Sequence, residues 1–360
     1  MTSFSDLGLP QGILKSLKDN QYDKPYPIQE QAIPVILKKK DVLGIAQTGS
    51  GKTAGFALPV LTNLLDSKSG KDRHPQALVL VPTRELAVQV DKVFREFSEN
   101  LPKLVKTMAV FGGVSINPQM KALFGVNVLI ATPGRLLELT KSQAVHLSEV
   151  STLVLDEADK ILNMGFQEEM DEIFKLLPRK RQNLLFSATL SKEVEKINRI
   201  ILNNPVTIRI EPKEENLDII NQKAYFIDDS KKGPLLRYLL QTQKMRQVLV
   251  FTSSTYKADH VADKLRKNGI DASATHGKKS QKARTDALRN FKNARLRVLV
   301  ATDLLSRGID IVFLPVVINY ELPRSPKDYT HRIGRTGRAE NPGEAISLIS
   351  EEEVHHFNII

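Results

Sequence analysis

The sequence predicts an α/β protein of two parallel-sheet domains joined by a short linker. Three observations predict it. Short apolar runs of β-type residues alternate with helical patterns along the chain, which is the rhythm of βα units and of a parallel sheet. The 360 residues are long for one core and suit two domains of ordinary size. The rhythm pauses once, near 205–218, where Glu211-Pro212-Lys213-Glu214-Glu215-Asn216 is charged and poor in apolar residues. The expected division is a first domain at 1–208, a linker at 209–219 and a second domain at 220–360.

Composition bounds the function. With 41% hydrophobic residues the chain can bury two substantial cores, and without cysteine it has no disulfide or thiolate metal site. No run approaches 18 apolar residues, and the N-terminus lacks a basic region followed by a long apolar stretch. No membrane span or signal peptide is expected, and a cytoplasmic location is. The formal charge of +11 points to a polyanionic partner. Tryptophan is absent and aromatics are sparse, so backbone contacts are favoured over base stacking.

In chain order, the first strand is 41–45, followed by Ala46-Gln47-Thr48-Gly49-Ser50-Gly51-Lys52-Thr53 and a helix over 53–65 that contains Pro59. Glycines at 49 and 51 let backbone N–H groups turn around phosphate oxygens. Lys52 then reaches the β- and γ-phosphates, and the Thr53 hydroxyl can ligate Mg²⁺. Such an ion still wants a carboxylate. Strands are expected at 77–81, 107–111, 126–131, 153–155 and 183–187. The strand at 153–155 ends abruptly in Asp156-Glu157-Ala158-Asp159, so carboxylates stand at a strand tip, where open α/β sheets bind ligands. An acidic first helical turn is the plain alternative; the upstream phosphate loop decides against it. Asp156 is the candidate metal ligand. Glu157 is the candidate to orient and deprotonate water.

Three other strand ends carry Pro82-Thr83-Arg84, Gly112-Gly113 and Thr132-Pro133-Gly134-Arg135. Free N–H groups, hydroxyls and guanidinium suit phosphate and sugar oxygens, although turn chemistry and helix capping explain any one of them as well. Ser187-Ala188-Thr189 ends the strand at 183–187, with hydroxyls able to bond neighbouring acids or to cap a helix. The second half repeats the rhythm at 247–251, 272–275, 296–301, 316–319 and 344–349. It carries Tyr329-Thr330-His331-Arg332-Ile333-Gly334-Arg335-Thr336-Gly337-Arg338, three arginines at spacings of three among glycines. A solvated basic helix needs no glycine, whereas an arginine finger neutralises charge on a transferring phosphoryl group. His355 and His356 are adjacent and share no helix face, so no metal site is expected there.

Asp156-Glu157-Ala158-Asp159 together with residues 46–53 resembles the DEAD-box RNA helicases. The resemblance covers essentially the whole chain, with motifs in the family's order. The stretch 111–120 resembles the bacterial RhlE-type branch. The resemblance implies two RecA-like domains, ATP and Mg²⁺ as ligands, and single-stranded RNA or short RNA duplexes as partners, with ribonucleoprotein as a wider target and a monomer as the expected state. Residues 22–29 resemble the Q motif, which implies that Gln29 reads adenine and that Phe4 and Tyr22 supply aromatic contacts; Gln21 stands where Gly is common and Tyr26 where Thr is. Pro82, Thr83, Arg84, Gly112, Gly113, Thr132, Pro133, Gly134 and Arg135 are implied along the RNA backbone. Asp159, Ser187 and Thr189 are implied to couple hydrolysis to unwinding.

In the second half the resemblance implies Arg335 and Arg338 as fingers and His331 as a bridge to the acidic motif. Thr252, Gln281, Arg284, Thr302 and Asp303 are implied at the RNA backbone, as is Gly308, with Gly308 and Asp310 on the nucleotide side. Ser306 replaces a usual Ala, and Lys278 stands where Asn or Asp is commoner. The chemistry is thus split across the linker, so turnover requires closure, and ATP becomes a switch on RNA affinity. A DNA translocase on a similar scaffold is opposed by the Q-motif stretch and residues 329–338. A non-enzymatic RNA clamp is opposed by Lys52, Glu157 and Arg338, which a pure binder does not need.

Overall fold

The computed structural model describes residues 2–47, 49–66, 72–211, 220–243, 245–303, 314–337 and 343–360, apart from the side chain of Gln281. The chain divides into two compact units, Met1–Pro212 and Lys213–Ile360. The first unit opens with a 3₁₀ turn (Phe4–Leu7), α1 (Gln11–Asp19) and α2 (Pro27–Leu37). Then come β1 (Val42–Ile45), α3 (Lys52–Leu65), β2 (Ala77–Leu80), α4 (Arg84–Ser98), β3 (Thr107–Val110), α5 (Ile116–Ala122), β4 (Val128–Ala131) and α6 (Pro133–Lys141). It closes with β5 (Thr152–Leu155), α7 (Ala158–Asn163), α8 (Gln167–Leu176), β6 (Gln182–Ser187), α9 (Lys192–Ile201) and β7 (Val206–Arg209). Its strands form one parallel sheet in the order β3-β4-β2-β5-β6-β1-β7.

The near-continuous apolar strands are buried on both faces, as a helix-covered parallel sheet requires. Successive residues go to opposite faces. Val42, Val79, Ile130, Val154 and Leu184 belong to one apolar cluster; Leu43, Leu80, Leu129, Leu155 and Leu185 belong to the other. Buried Asp41 locks one edge. It accepts hydrogen bonds from the backbone N–H groups of Asn183 and Asn203, both at 2.8 Å, so β1, β6 and the turn before β7 are pinned together.

The second unit contains β8 (Ile220–Phe226), α10 (Asp229–Thr242), β9 (Val248–Thr252), α11 (Thr255–Lys267), β10 (Ala272–Thr275), α12 (Gln281–Lys292), β11 (Val298–Thr302), β12 (Val316–Asn319), α13 (Pro326–Ile333) and β13 (Gly343–Ile349). A 3₁₀ turn (Glu351–Glu353) and α14 (Val354–Phe357) follow. Its parallel sheet runs β10-β11-β9-β12-β13-β8. The two halves are both RecA-like parallel-sheet α/β domains.

The pause expected near 205–218 contains a strand, β7, and β8 likewise had no counterpart among the expected strands. Both are outermost in their sheets. In β7 only Ile208 is buried, and in β8 only Ile220. The outermost β3 and β10 bury residues at both ends and were legible; β7 and β8 bury one residue each, so their apolar signal is weak and their polar residues read as linker.

Candidate nucleotide site and RNA-facing loops

Strand order sorts the tips of the first sheet into two zones. β6 lies between β1 and β5. Its register sets Ser187 beside Ile45 and Leu185 beside Leu155. The phosphate loop leaving β1 and the acids leaving β5 therefore flank the Ser187-Ala188-Thr189 end of β6, about 10 Å apart by ordinary strand spacing. On the other side lie β2, β4 and β3, whose ends carry Pro82, Thr132 and Gly112.

In the phosphate loop Gly49 and Gly51 both have φ +84°, a left-handed backbone that glycine adopts without strain. Side chains exclude anything larger at Gly51, because a Cβ there would lie 2.5 Å from Gln29 Nε2. The loop is closed by bonds of its own. Lys52 Nζ donates to the carbonyls of Ala46 and Gln47, the latter at 2.9 Å, and Ser50 Oγ also donates to Gln47 O at 2.8 Å. Burial pushes the Lys52 ammonium below its ordinary pKa, while Asp156, Glu157 and Asp159 pull it back up. Thr48 lies outside the described residues.

Around Lys52 stand three buried carboxylates: Asp156, Glu157 and Asp159. Burial first, and then the charge of Glu157, push Asp156 from the usual carboxylate range up to about 7. Its Oδ1 accepts from the Glu157 N–H at 2.9 Å. Glu157 sits at φ +53°, ψ +47°, a strained backbone for a non-glycine residue and a common feature of functional sites. One of its oxygens pairs with Lys160 Nζ at 2.7 Å. Among the described residues, Glu157 Oε2 and Asp159 Oδ1 are buried with no hydrogen-bond partner. The Thr189 hydroxyl donates to Asp159 Oδ2 at 3.1 Å, joining the acids to the end of β6. Ser187 Oγ donates to Thr189 O at 2.7 Å. A Mg²⁺ fits this chemistry: a hydroxyl at Thr53, a carboxylate at Asp156 that ionises reluctantly without a cation, and unsatisfied oxygens behind it.

The Q-motif residues fall into place unevenly. Gln29 is fully buried and bridges α2 to the loop: Oε1 accepts from Tyr26 N–H and Nε2 donates to Gly51 O, both at 2.9 Å. Gln21 adopts φ +60°, which explains why glycine suits that turn. Tyr22 is half-buried, with its ring edge-on to Phe97 at 5.2 Å. Phe4 differs from its expected place. It is packed into the apolar core and presents no open ring face, because a phenyl group gains more from burial than from water. Tyr26, exposed, is the aromatic nearest Gly51, which sequence reasoning noted only as a departure.

The three loops at β2, β3 and β4 converge. A Cβ on Gly113, at φ +75°, would collide with the Arg84 guanidinium, so Arg84 lies directly against the Gly112-Gly113 turn. Arg135 reaches the same turn, donating from Nη2 to Val114 O at 2.8 Å. Arg135 is 5% exposed and held by Glu138, so it stands behind the loop surface rather than on it. Thr83 caps α4, accepting from Leu86 N–H at 3.2 Å, and Thr132 is buried with Pro133 at the start of α6. Gly134 has open space beside it.

In the second unit Thr252, Arg284, Thr302 and Asp303 are at strand ends or on α12, and the first three are buried. Asp303 has a different partner from the one expected: both carboxylate oxygens are taken by Arg332, at 2.6 and 2.8 Å. Arg332 also donates to Asn319 Oδ1 and Glu321 O and lies over the Phe251 ring at 5.0 Å. This buried arginine was not singled out by the sequence, although its place beside Ile333 at the end of α13 marks the core face. His331 is exposed and Arg335 half-buried, one residue before Thr336, whose hydroxyl donates to Leu314 O. Gly308, Asp310 and Arg338 lie outside the described residues, as does most of 209–219.

Residues 26–197 match the DEAD/DEAH box helicase model, and residues 231–340 match the helicase conserved C-terminal domain. The chain is 41% identical over 354 residues to the DEAD-box ATP-dependent RNA helicase RhpA of Helicobacter pylori, covering 98% of this chain and 70% of that protein. The chain belongs to the DEAD-box family of ATP-dependent RNA helicases. This DEAD-box chain is also 40% identical to the ATP-dependent RNA helicase CshA of Listeria monocytogenes, over 100% of this chain and 68% of that one. Among solved structures it resembles S. cerevisiae Dbp5 bound to RNA and ADP BeF3, at TM-score 0.84 and 31% identity over 100% of this chain and 92% of that chain. It also resembles a DEAD box protein from Methanococcus jannaschii, at TM-score 0.56 and 35% identity, over 99% and 96%.

Proposed function

We propose that this chain is an RNA-stimulated ATPase that unwinds short RNA duplexes locally and remodels ribonucleoprotein, and that ATP and single-stranded RNA bind it cooperatively by closing the two units about the linker at 209–219. One observation carries the reading of the first unit. The phosphate loop, three buried acids and the Ser187–Thr189 turn occupy three neighbouring strand tips, with Thr189 bonded to Asp159.

The residues act in order. Entering phosphates take the place of the carbonyls of Ala46 and Gln47 around Lys52, and the N–H groups at 49–53 wrap them. Gln29 senses adenine while gripping Gly51, so base and phosphate recognition share one side chain. Thr53 and Asp156 would hold Mg²⁺, which shields charge on the β- and γ-phosphates when bound. Glu157 orients and deprotonates the attacking water. Arg335 and Arg338 neutralise charge on the transferring group, with His331 bridging to the acids. The loops at Pro82–Arg84, Gly112-Gly113 and 132–135 take the RNA backbone with Thr252, Gln281, Arg284 and Thr302. The motif around 301–310 adds Gly308 and Asp310 on the nucleotide side.

Contacts to backbone make the activity independent of base sequence. The stretch 111–120 supports the RhlE-type branch, and a monomer in the cytoplasm is the working state we propose. The test is steady-state ATP turnover with no nucleic acid, with single-stranded RNA and with DNA of the same sequence, beside Glu157→Gln. Stimulation by RNA alone, lost in the variant, is expected. Equal stimulation by DNA would replace the reading with a DNA motor, and RNA binding with no turnover would replace it with a clamp.

A further inference from the structure

Gln119, on α5, is buried although Asn117 and Pro118 beside it are exposed. Its amide is spent mainly on one residue eight positions back, with a longer bond from Nε2 to Ser115 O at 3.5 Å. Oε1 accepts from Phe111 N–H at 3.0 Å, and Nε2 donates to Phe111 O at 3.1 Å. Phe111 follows β3, the outermost strand of the sheet. The side chain therefore supplies to Phe111 what a further strand would have supplied, a donor and an acceptor together.

We propose that Gln119 is a positioning residue for RNA binding: it closes the 111–119 segment into a fixed loop and so holds Gly112-Gly113 in register with Arg84. The proposal rests on the reading of that loop as an RNA contact. Three observations carry it. The two bonds of Gln119 fasten one end of the loop to the sheet edge, and Arg135 fastens its middle through Val114 O. Gly113 sits at φ +75°, a left-handed backbone that disfavours a side chain, and a Cβ there would displace the Arg84 guanidinium. Finally, β4 and β2 separate β3 from β5, so the clamp is remote from the acids that work on ATP. Loosening it costs the preorganisation of the loop and leaves the ATP chemistry intact.

The experiment measures ATP turnover against RNA concentration for the full chain, with Gln119→Leu, Gln119→Glu and Gly113→Ala. Losing both hydrogen bonds in Gln119→Leu is expected to raise the half-saturating RNA concentration roughly tenfold. Maximal turnover at saturating RNA and the KM for ATP should stay within about twofold, which a merely structural role would not allow. Gln119→Glu keeps the acceptor for Phe111 N–H but turns an acceptor toward the carbonyls of Phe111 and Ser115, so it should raise the constant as well; it carries the test if the leucine variant fails to fold. Gly113→Ala distorts the loop directly. If it raises the RNA constant while the Gln119 variants leave it unchanged, Gln119 has no positioning role and the loop reading stands. If none of the variants moves it, the loop is not an RNA contact and both fall. A parallel loss of ATP affinity and maximal turnover in the Gln119 variants would also overturn the proposal.

Discussion

Two clusters of buried charge, one around Lys52 in the first unit and one around Arg332 in the second, are satisfied to different degrees. Around Lys52, Asp156 is pushed up to about 7, and Glu157 and Asp159 each keep a buried oxygen without a hydrogen bond among the described residues. Around Arg332, every guanidinium nitrogen is engaged, by Asp303, Asn319 and Glu321, over a phenyl ring. The first cluster keeps polar atoms free to engage a ligand; the second is saturated, as a structural device is. Motif membership does not separate them, since Arg332 lies in the same stretch as Arg335. Satisfaction does.

The comparison breaks most visibly at Glu157. Glu157→Gln should cut ATP turnover by about 10²–10⁴-fold, the usual reach of a general base. Thermal unfolding should show no loss of stability, because a neutral amide replaces an under-partnered buried charge. A large drop in melting temperature would place Glu157 with the structural charges. Arg332→Met should do the reverse. It strands Asp303 and is expected to cost about 3–5 kcal/mol in denaturant unfolding. Arg332→Lys should fail almost as badly, because one ammonium cannot engage both oxygens of Asp303 and the carbonyl of Glu321.

Asp156 sharpens the contrast through pH. Its folded pKa, about 7, lies above the ordinary value of 3.8, so the unbound protein binds the proton more tightly when folded. The stabilisation from that proton is complete below about pH 4 and is lost as pH rises through 7. Asp156→Asn should remove that dependence, leaving the ligand-free variant a few kcal/mol more stable than the parent at pH 8. Melting curves from pH 5 to 8 check it; parallel curves for parent and variant would contradict the assignment. The smallest effect is expected at Gln21. Gln21→Gly relieves a left-handed backbone and should raise stability by about 0.5 kcal/mol, read from the urea midpoint.

The legible parts of the sequence were those where burial and chemistry speak through residue type. The central strands were visible as apolar runs, and the phosphate loop and acids as glycine, lysine and carboxylate at strand ends. β7 and β8 were not, because each buries a single residue, unlike the equally outermost β3 and β10. Partner choice was not legible either. That Asp303 belongs to Arg332, or that Gln119 belongs to Phe111, depends on which elements the topology brings together, and spacing carries no trace of it. Phe4 illustrates the same limit, since a phenylalanine near a binding motif reads identically whether it stacks or packs.

The central proposal is that nucleotide and RNA bind this chain cooperatively. The most direct test is RNA affinity of the Glu157→Gln chain with and without ATP, by fluorescence anisotropy of a labelled single strand. Cooperative binding predicts that ATP tightens RNA by about 5–150-fold, with RNA tightening ATP by the same factor. Affinity for RNA that ignores ATP would contradict it.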